Sequence, residues 1–261
     1  QVRAFHVSDH NVLVAHSAVD FEGLVVSLTL ADLDGDGAED LIVATQGQDG
    51  IWASLQTDEG FDAPVALVRA GLTPASIAAA DFDRDGDLDV VAVAWLSSRF
   101  KPPNTPFASL PSILCLEQTS PGTFVRHTLE RGLPHYPTLE LADFDDDGDL
   151  DAFVANFQAN KVYINDGSGT FTDSGQSLGS SDSYGVSLGD VDGDGDLDAF
   201  VANHNQDKKV WINDGNGNFT DSGQSLGTSA STGTDLGDVD DDGDLDAFIA
   251  NSSGQPNKVW V

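Results

Sequence analysis

The sequence predicts an all-β chain, a five-bladed β-propeller of four-stranded antiparallel blades. Three observations predict it. One acidic loop recurs five times at a near-constant spacing, each recurrence runs straight into an apolar strand, and no stretch carries a long 3.6-residue apolar period.

The repeat reads ADLDGDGAEDLIVA at 31–44, ADFDRDGDLDVVAV at 80–93 and ADFDDDGDLDAFVA at 142–155. It returns as GDVDGDGDLDAFVA at 189–202 and GDVDDDGDLDAFIA at 237–250. The leading acids Asp32, Asp81, Asp143, Asp190 and Asp238 are 49, 62, 47 and 48 residues apart. A spacing of roughly 40–50 residues suits one propeller blade. In the third unit the strand segments are LELADF, DAFVANF, KVYIND and GTFTDSG, rich in β-branched and aromatic residues and divided by Gly, Asn, Asp and Ser. The N-D-G-S-G step between Ile164 and Phe171 signals a turn between two strands. Two later linkers, NDGSGTFTDSGQSLG at 165–179 and NDGNGNFTDSGQSLG at 213–227, are near copies. Units three to five therefore resemble one another more than they resemble units one and two.

The longest gap holds an insertion, LSSRFKPPNTPFASLP at 96–111, expected as a long surface loop leaving the second blade. The fifth unit stops at NKVWV, without the strand that reads GTFTDSG elsewhere. The segment VRAFHV at 2–7 offers strand material before the first loop and is expected to complete the fifth blade, closing one domain over 1–261.

Each loop fits D-x-D-x-D-G-x-x-D, and the spacing has a chemical reason. Calcium wants about six to eight hard oxygens at ~2.3–2.6 Å. Carboxylates at positions 1, 3 and 5 converge when the chain curls tightly, and glycine at position 6 permits the curl. Position 7 offers its carbonyl and position 9 a further carboxylate. The first set is Asp32, Asp34, Asp36 and Asp40 with the Ala38 carbonyl; the second is Asp81, Asp83, Asp85 and Asp89 with Asp87. The third is Asp143, Asp145, Asp147 and Asp151 with Asp149; the fourth is Asp190, Asp192, Asp194 and Asp198 with Asp196. The fifth is Asp238, Asp240, Asp242 and Asp246 with Asp244. About five calcium ions are expected, one per blade. Leu88, Leu150, Leu197 and Leu245 at position 8 are expected to anchor their loops on the core, where loop one carries Glu39 and is expected to be more exposed. Zinc would want His or Cys, which these loops lack.

Composition agrees. The chain has 261 residues and a formal net charge of −33, from 44 acidic and 11 basic residues. A compact fold with that charge repels itself unless cations neutralise it. Twenty-seven of the acids lie in the five loops, and five divalent ions would bring −33 to −23. Nucleic acid and anionic membrane surfaces are excluded as partners on the same ground. No run of about 18 apolar residues is present, so no membrane insertion is expected. The lone Cys115 rules out an intramolecular disulfide, and no leader is visible at Gln1.

Through these five loops, over nearly its whole length, the chain resembles the FG-GAP/VCBS repeat family, found in integrin α-subunit propellers and many secreted bacterial proteins. LAD, AAD and LGD precede the loops, in place of the Phe-Gly and Gly-Ala-Pro elements that name the family. The resemblance implies a propeller with calcium between the first two strands of each blade, secreted or otherwise extracytoplasmic.

Catalytic candidates are thin. His6, His10, His16, His127, His135 and His204 form no metal-ligand or Ser-His-Asp pattern. The pair His135 and Tyr136 could do acid-base work in a polysaccharide lyase, but is expected to be structural. Tyr163, Trp211 and Trp260 recur in KVYI, KVWI and KVWV and could stack on sugars; together with Trp52 and Trp95 they are expected in strand cores. Cys115 is expected to be a buried hydrophobe. The reading is a calcium-stabilised, monomeric recognition or scaffold module without catalysis, taking an extracellular protein or glycan ligand. The alternatives are a carbohydrate-binding lectin and a lyase or hydrolase.

Overall fold

The computed structural model describes residues 2–7, 13–21, 23–46, 50–69, 74–94, 106–132 and 138–261. The chain divides into two compact units, Gln1–Pro134 and His135–Val261. Among the described residues it is all-β, with one short 3-10 turn at Phe107–Ser109 and no α-helix.

In the first unit, sheet 1 orders Leu24–Ala31, Asp40–Gln46, Gly50–Ser54 and Val65–Arg69, and sheet 2 orders Pro74–Ala80, Asp89–Ala94, Pro111–Ser120 and Thr123–Arg131. In the second unit, sheet 3 orders Thr138–Ala142, Asp151–Ala155, Lys161–Asn165 and Phe171–Asp173. Sheet 4 orders Ser183–Gly189, Asp198–Asn203, Lys209–Asn213 and Phe219–Asp221. Sheet 5 has three strands, Ser231–Gly237, Asp246–Asn251 and Lys258–Trp260. All neighbours are antiparallel and follow chain order, so each sheet is a meander.

The second strand of each sheet explains the packing. In the first four sheets both of its faces are covered, and it reads as a nearly unbroken apolar run. Asp40–Gln46, Asp89–Ala94, Asp151–Ala155 and Asp198–Asn203 are buried at every position. Successive side chains point to opposite faces. Ile42 and Ala44 of sheet 1 thus join Ile77, Val90 and Ala92 of sheet 2, while Leu41 and Val43 join Val19, Phe21 and Trp52 on the other face. In the second unit, Phe144 and Phe153 of sheet 3 meet Phe219 of sheet 4 edge-on, at ring distances of 5.2 and 5.3 Å. Phe200 and Val210 of sheet 4 meet Ala247 and Ile249 of sheet 5.

The N-terminal segment behaves differently from expectation. Val2–Val7 pairs with Leu13–Val19 in a separate two-stranded sheet, and the last sheet keeps three strands. A short local loop costs less closure entropy than pairing with a strand at the far end of the chain. The aromatic residues sit as core. Tyr163 and Trp211 are buried, Trp260 is partly buried, and Trp52 is buried with its indole N–H donating to Thr45 Oγ1 at 2.9 Å. Cys115 is a buried free thiol whose pKa burial pushes up to about 12. Of the insertion, the described end carries the 3-10 turn, where Ser109 O accepts from Arg131 Nη1 at 2.8 Å. Residues 95–105, with Trp95, lie outside the described residues, as do His10, His135 and Tyr136.

Candidate metal centres

All five acidic loops join the first two strands of a sheet. Their geometry is built by backbone N–H groups turned inward on carboxylates. Position 6 is a glycine at φ between 87° and 102° (Gly37, Gly86, Gly148, Gly195, Gly243), a region closed to most side chains. Its N–H donates to Oδ2 of the position-1 aspartate in every loop, at 2.9 Å from Gly37, 3.1 Å from Gly86, 2.8 Å from Gly148, 3.1 Å from Gly195 and 3.0 Å from Gly243. The position-7 N–H donates to Oδ1 of position 5 throughout, as Asp149 does to Asp147 at 2.9 Å.

Carboxylate oxygens of positions 1 and 3 come together in all five loops. The third member is position 5 in loops one, two and four (Asp36, Asp85, Asp194) and position 9 in loops three and five (Asp151, Asp246); each triad's oxygens lie within 4.8 Å of one another. Two of these oxygens are buried without a hydrogen-bond donor: Oδ1 of Asp81 and of Asp143. A buried carboxylate oxygen with no donor is costly. A small cation approaching at ~2.3–2.6 Å fits a gap that excludes a water-sized sphere. The donor set is hard oxygen with no His or Cys, so the residues fit calcium and not zinc.

Position 9 has a second duty that the spacing alone does not reveal. Asp40, Asp89, Asp151, Asp198 and Asp246 are all buried. Their Oδ2 atoms accept from the position-2 N–H of Leu33, Phe82, Phe144, Val191 and Val239 at 2.8–3.1 Å. In the first four sheets Oδ1 accepts from Gln56, Gln118, Asn165 and Asn213 N–H groups further along the sheet, at 2.7–2.8 Å. This residue therefore staples the loop to its sheet. Burial pushes Asp89 and Asp151 up to about 6, against their own backbone hydrogen bonds and with a smaller push from loop neighbours. Asp40 and Asp198 are raised for the same first cause.

Position 7 also does more than offer a carbonyl. A Cβ at Gly167 would run into Asp149 Oδ2, and one at Gly215 would meet Asp196 Oδ2 at 2.5 Å. The position-7 side chain thus rests against the N-D-G turn of its own sheet, and the glycines of NDGSG and NDGNG are the signal that could have shown it. Among the position-8 leucines, Leu88 and Leu197 pack on their cores as expected, Leu245 is 38% exposed, and Glu39 is exposed.

Neighbouring sheets clamp the loops. The Phe144 carbonyl accepts from Gly217 N at 2.7 Å and from Asn213 Nδ2 at 3.0 Å, both in sheet 4. The Leu33 carbonyl accepts from Gln118 Nε2 of sheet 2 at 3.1 Å. Gln176, in the linker leaving sheet 3, donates to Gly217 O at 2.7 Å and accepts from Phe219 N at 2.8 Å.

Known proteins share the fold. A lectin from Agrocybe aegerita, whose structure concerns recognition of non-reducing terminal N-acetylglucosamine, is similar at 18% identity and TM-score 0.50, covering 74% of this chain and 50% of its own. The V. cholerae biofilm matrix protein Bap1 is similar at 17% identity and TM-score 0.53, covering 88% of this chain and 36% of its own. The chain thus spans about half or less of either protein, and the likeness to both is one of propeller-like fold. No curated protein matches in sequence. The model of the FG-GAP-like repeat matches residues 32–92, 143–201 and 190–249, each match beginning at the first aspartate of a loop. With most of its length covered by these matches, the chain belongs to the FG-GAP-like repeat family.

Proposed function

We propose that the chain is a calcium-binding, calcium-stabilised recognition or scaffold module that works outside the cytoplasm and carries no catalytic centre. The observation that carries this reading is the recurrence of an acidic triad in all five loops, with orphaned carboxylate oxygens at Asp81 and Asp143. Bound calcium would take carboxylate oxygens from positions 1, 3, 5 and 9 and the carbonyl of position 7. Each ion would offset the mutual repulsion of a loop whose carboxylates face one another. The same proposal takes the five sheets as propeller blades of a single, monomeric domain. No helix among the described residues is long and apolar enough to cross a membrane.

Thermal unfolding in millimolar calcium and after chelation tests the reading. The expected result is a fall in Tm of more than about 10 °C on chelation, since ligand binding to the folded state alone stabilises by mass action. An unchanged Tm overturns it.

A second reading, a carbohydrate-binding module, is favoured by the fold shared with the Agrocybe aegerita lectin. Binding on a glycan array that survives substitution of a loop aspartate supports it. Silence of the folded, calcium-loaded chain across the array counts against it. The lyase reading rested on His135 and Tyr136, outside the described residues.

A further inference from the structure

The five loops are not equivalent, and the difference tracks one residue. Position 4 is glycine in loops one and four (Gly35, Gly193) and a residue with a side chain in loops two, three and five (Arg84, Asp146, Asp241). All five have positive φ, but the glycines sit at 76° and 80° whereas Arg84, Asp146 and Asp241 sit at 59°, 60° and 62°. A Cβ holds the latter three near the left-handed helical minimum, and glycine is free to rotate further.

The rotation redirects two backbone N–H groups. In loop one, Gly35 N and Asp36 N both donate to Asp32 Oδ1, at 2.9 and 3.1 Å. In loop four, Gly193 N and Asp194 N both donate to Asp190 Oδ1, at 2.7 and 3.1 Å. In loops two and three the same atom, Oδ1 of Asp81 and of Asp143, is buried and receives no hydrogen bond. In loops two and five the position-5 N–H reaches position 3 alone, Asp85 N to Asp83 Oδ1 and Asp242 N to Asp240 Oδ1, both at 3.2 Å. In loop one, by contrast, Asp36 N is shared between Asp32 Oδ1 and Asp34 Oδ1, the latter also at 3.2 Å.

A carboxylate oxygen has two lone-pair sites. In loops one and four both are taken at position 1, so a cation must displace a charge-assisted hydrogen bond to use that oxygen. In loops two and three they are open, and in loop five, among the described residues, the N–H that reaches Asp238 is that of Gly243, on Oδ2 and not Oδ1. We infer that position 4 sets calcium affinity, sorting the loops into a tighter class (two, three and five) and a weaker class (one and four). This rests on the calcium reading above.

Terbium or calcium titration of the chelated full chain tests it. The expected isotherm has two classes separated by about tenfold, ~1.4 kcal/mol, with three ions in the tighter class and two in the weaker. Exchanging the residue should exchange the class. Asp146→Gly should move one ion from the tighter class to the weaker. The double variant Gly35→Asp/Gly193→Asp should merge all five into one class; a Cβ at either glycine meets nothing within 4 Å, so there is room. Asp146→Gly relieves rather than imposes backbone strain and so keeps the test available if the double variant misfolds. Five equivalent sites in the unmodified chain, or classes unmoved by either exchange, overturn the inference while leaving calcium binding intact. Absence of any binding at millimolar metal overturns both.

Discussion

Sheets 3 and 5 carry almost the same residues in different surroundings. Phe153 and Phe248 occupy one position of the second strand, and Val162 and Val259 one position of the third. Phe153 and Val162, in sheet 3, are each 0% exposed. Phe248 and Val259, their sheet 5 counterparts, are 43% and 48% exposed. Sheet 4, whose Phe200 and Val210 are 2% and 4% exposed, sides with sheet 3. What differs is the next sheet. Phe219 and the clamp of Gln176 lie against sheet 3, and sheet 5 has no equivalent cover among the described residues. The lesson from sheets 3 to 5 is that a sheet does not bury its own apolar face; the sheet after it does, as expected where stability is a sum of repeat and nearest-neighbour terms.

The largest expected effect tests that lesson directly. Phe153→Ala should cost about 3–5 kcal/mol in denaturant unfolding with calcium present, because it opens a cavity between two sheets. Phe248→Ala should cost less than about 1 kcal/mol. Equal costs would break the comparison by showing that Phe248 is covered in solution.

The loops of the covered sheets give a second test, by pH. Asp89 and Asp151 titrate near about 6 in the metal-free fold, above an ordinary value of 3.8. Between those values the folded chain holds protons that the unfolded chain has released, so their contribution is full below the lower value and lost as pH rises through the higher one. The chelated protein should therefore be more stable at pH 5 than at pH 7, by on the order of 2 kcal/mol. With saturating calcium the order should reverse, because protons then compete with the ion. A chelated protein less stable at pH 5 would contradict the burial assigned to these carboxylates.

A smaller contrast isolates the clamp. Gln176 and Gln224 stand in identical DSGQSLG linkers, yet Gln176 bridges to sheet 4 and Gln224 is exposed. Gln176→Ala should cost about 1–2 kcal/mol by the same unfolding assay, and Gln224→Ala less than about 0.5 kcal/mol. A sizeable loss at Gln224 would mean that its linker too is clamped.

These contrasts also mark what the residues made legible. The sheets, their meander order and the loop positions follow from period-two strands and from a ligand spacing that chemistry dictates, so they could be read from Asp32 to Asp246 with no coordinates. The pairing of Val2–Val7 could not. Strand material was visible there, but its partner is decided by loop entropy, which residue identity does not encode. The stapling role of position 9 was hidden for a different reason. Asp151 looks the same whether it faces an ion or a backbone N–H, and only its place at the buried start of a strand shows that it serves Phe144 and Asn165. Position 4 was passed over because glycine and aspartate are both ordinary in turns, and their difference appears only in where Asp32 and Asp143 find hydrogen bonds.

The most direct test of the account is the dependence of unfolding on free calcium. The slope of the logarithm of the unfolding constant against the logarithm of calcium activity counts the ions released when the chain unfolds. With all loops filled, the slope should approach minus five, one ion for each acidic loop. A slope of zero across the millimolar range would mean that the aspartates organise their loops without metal, and the central claim would fail.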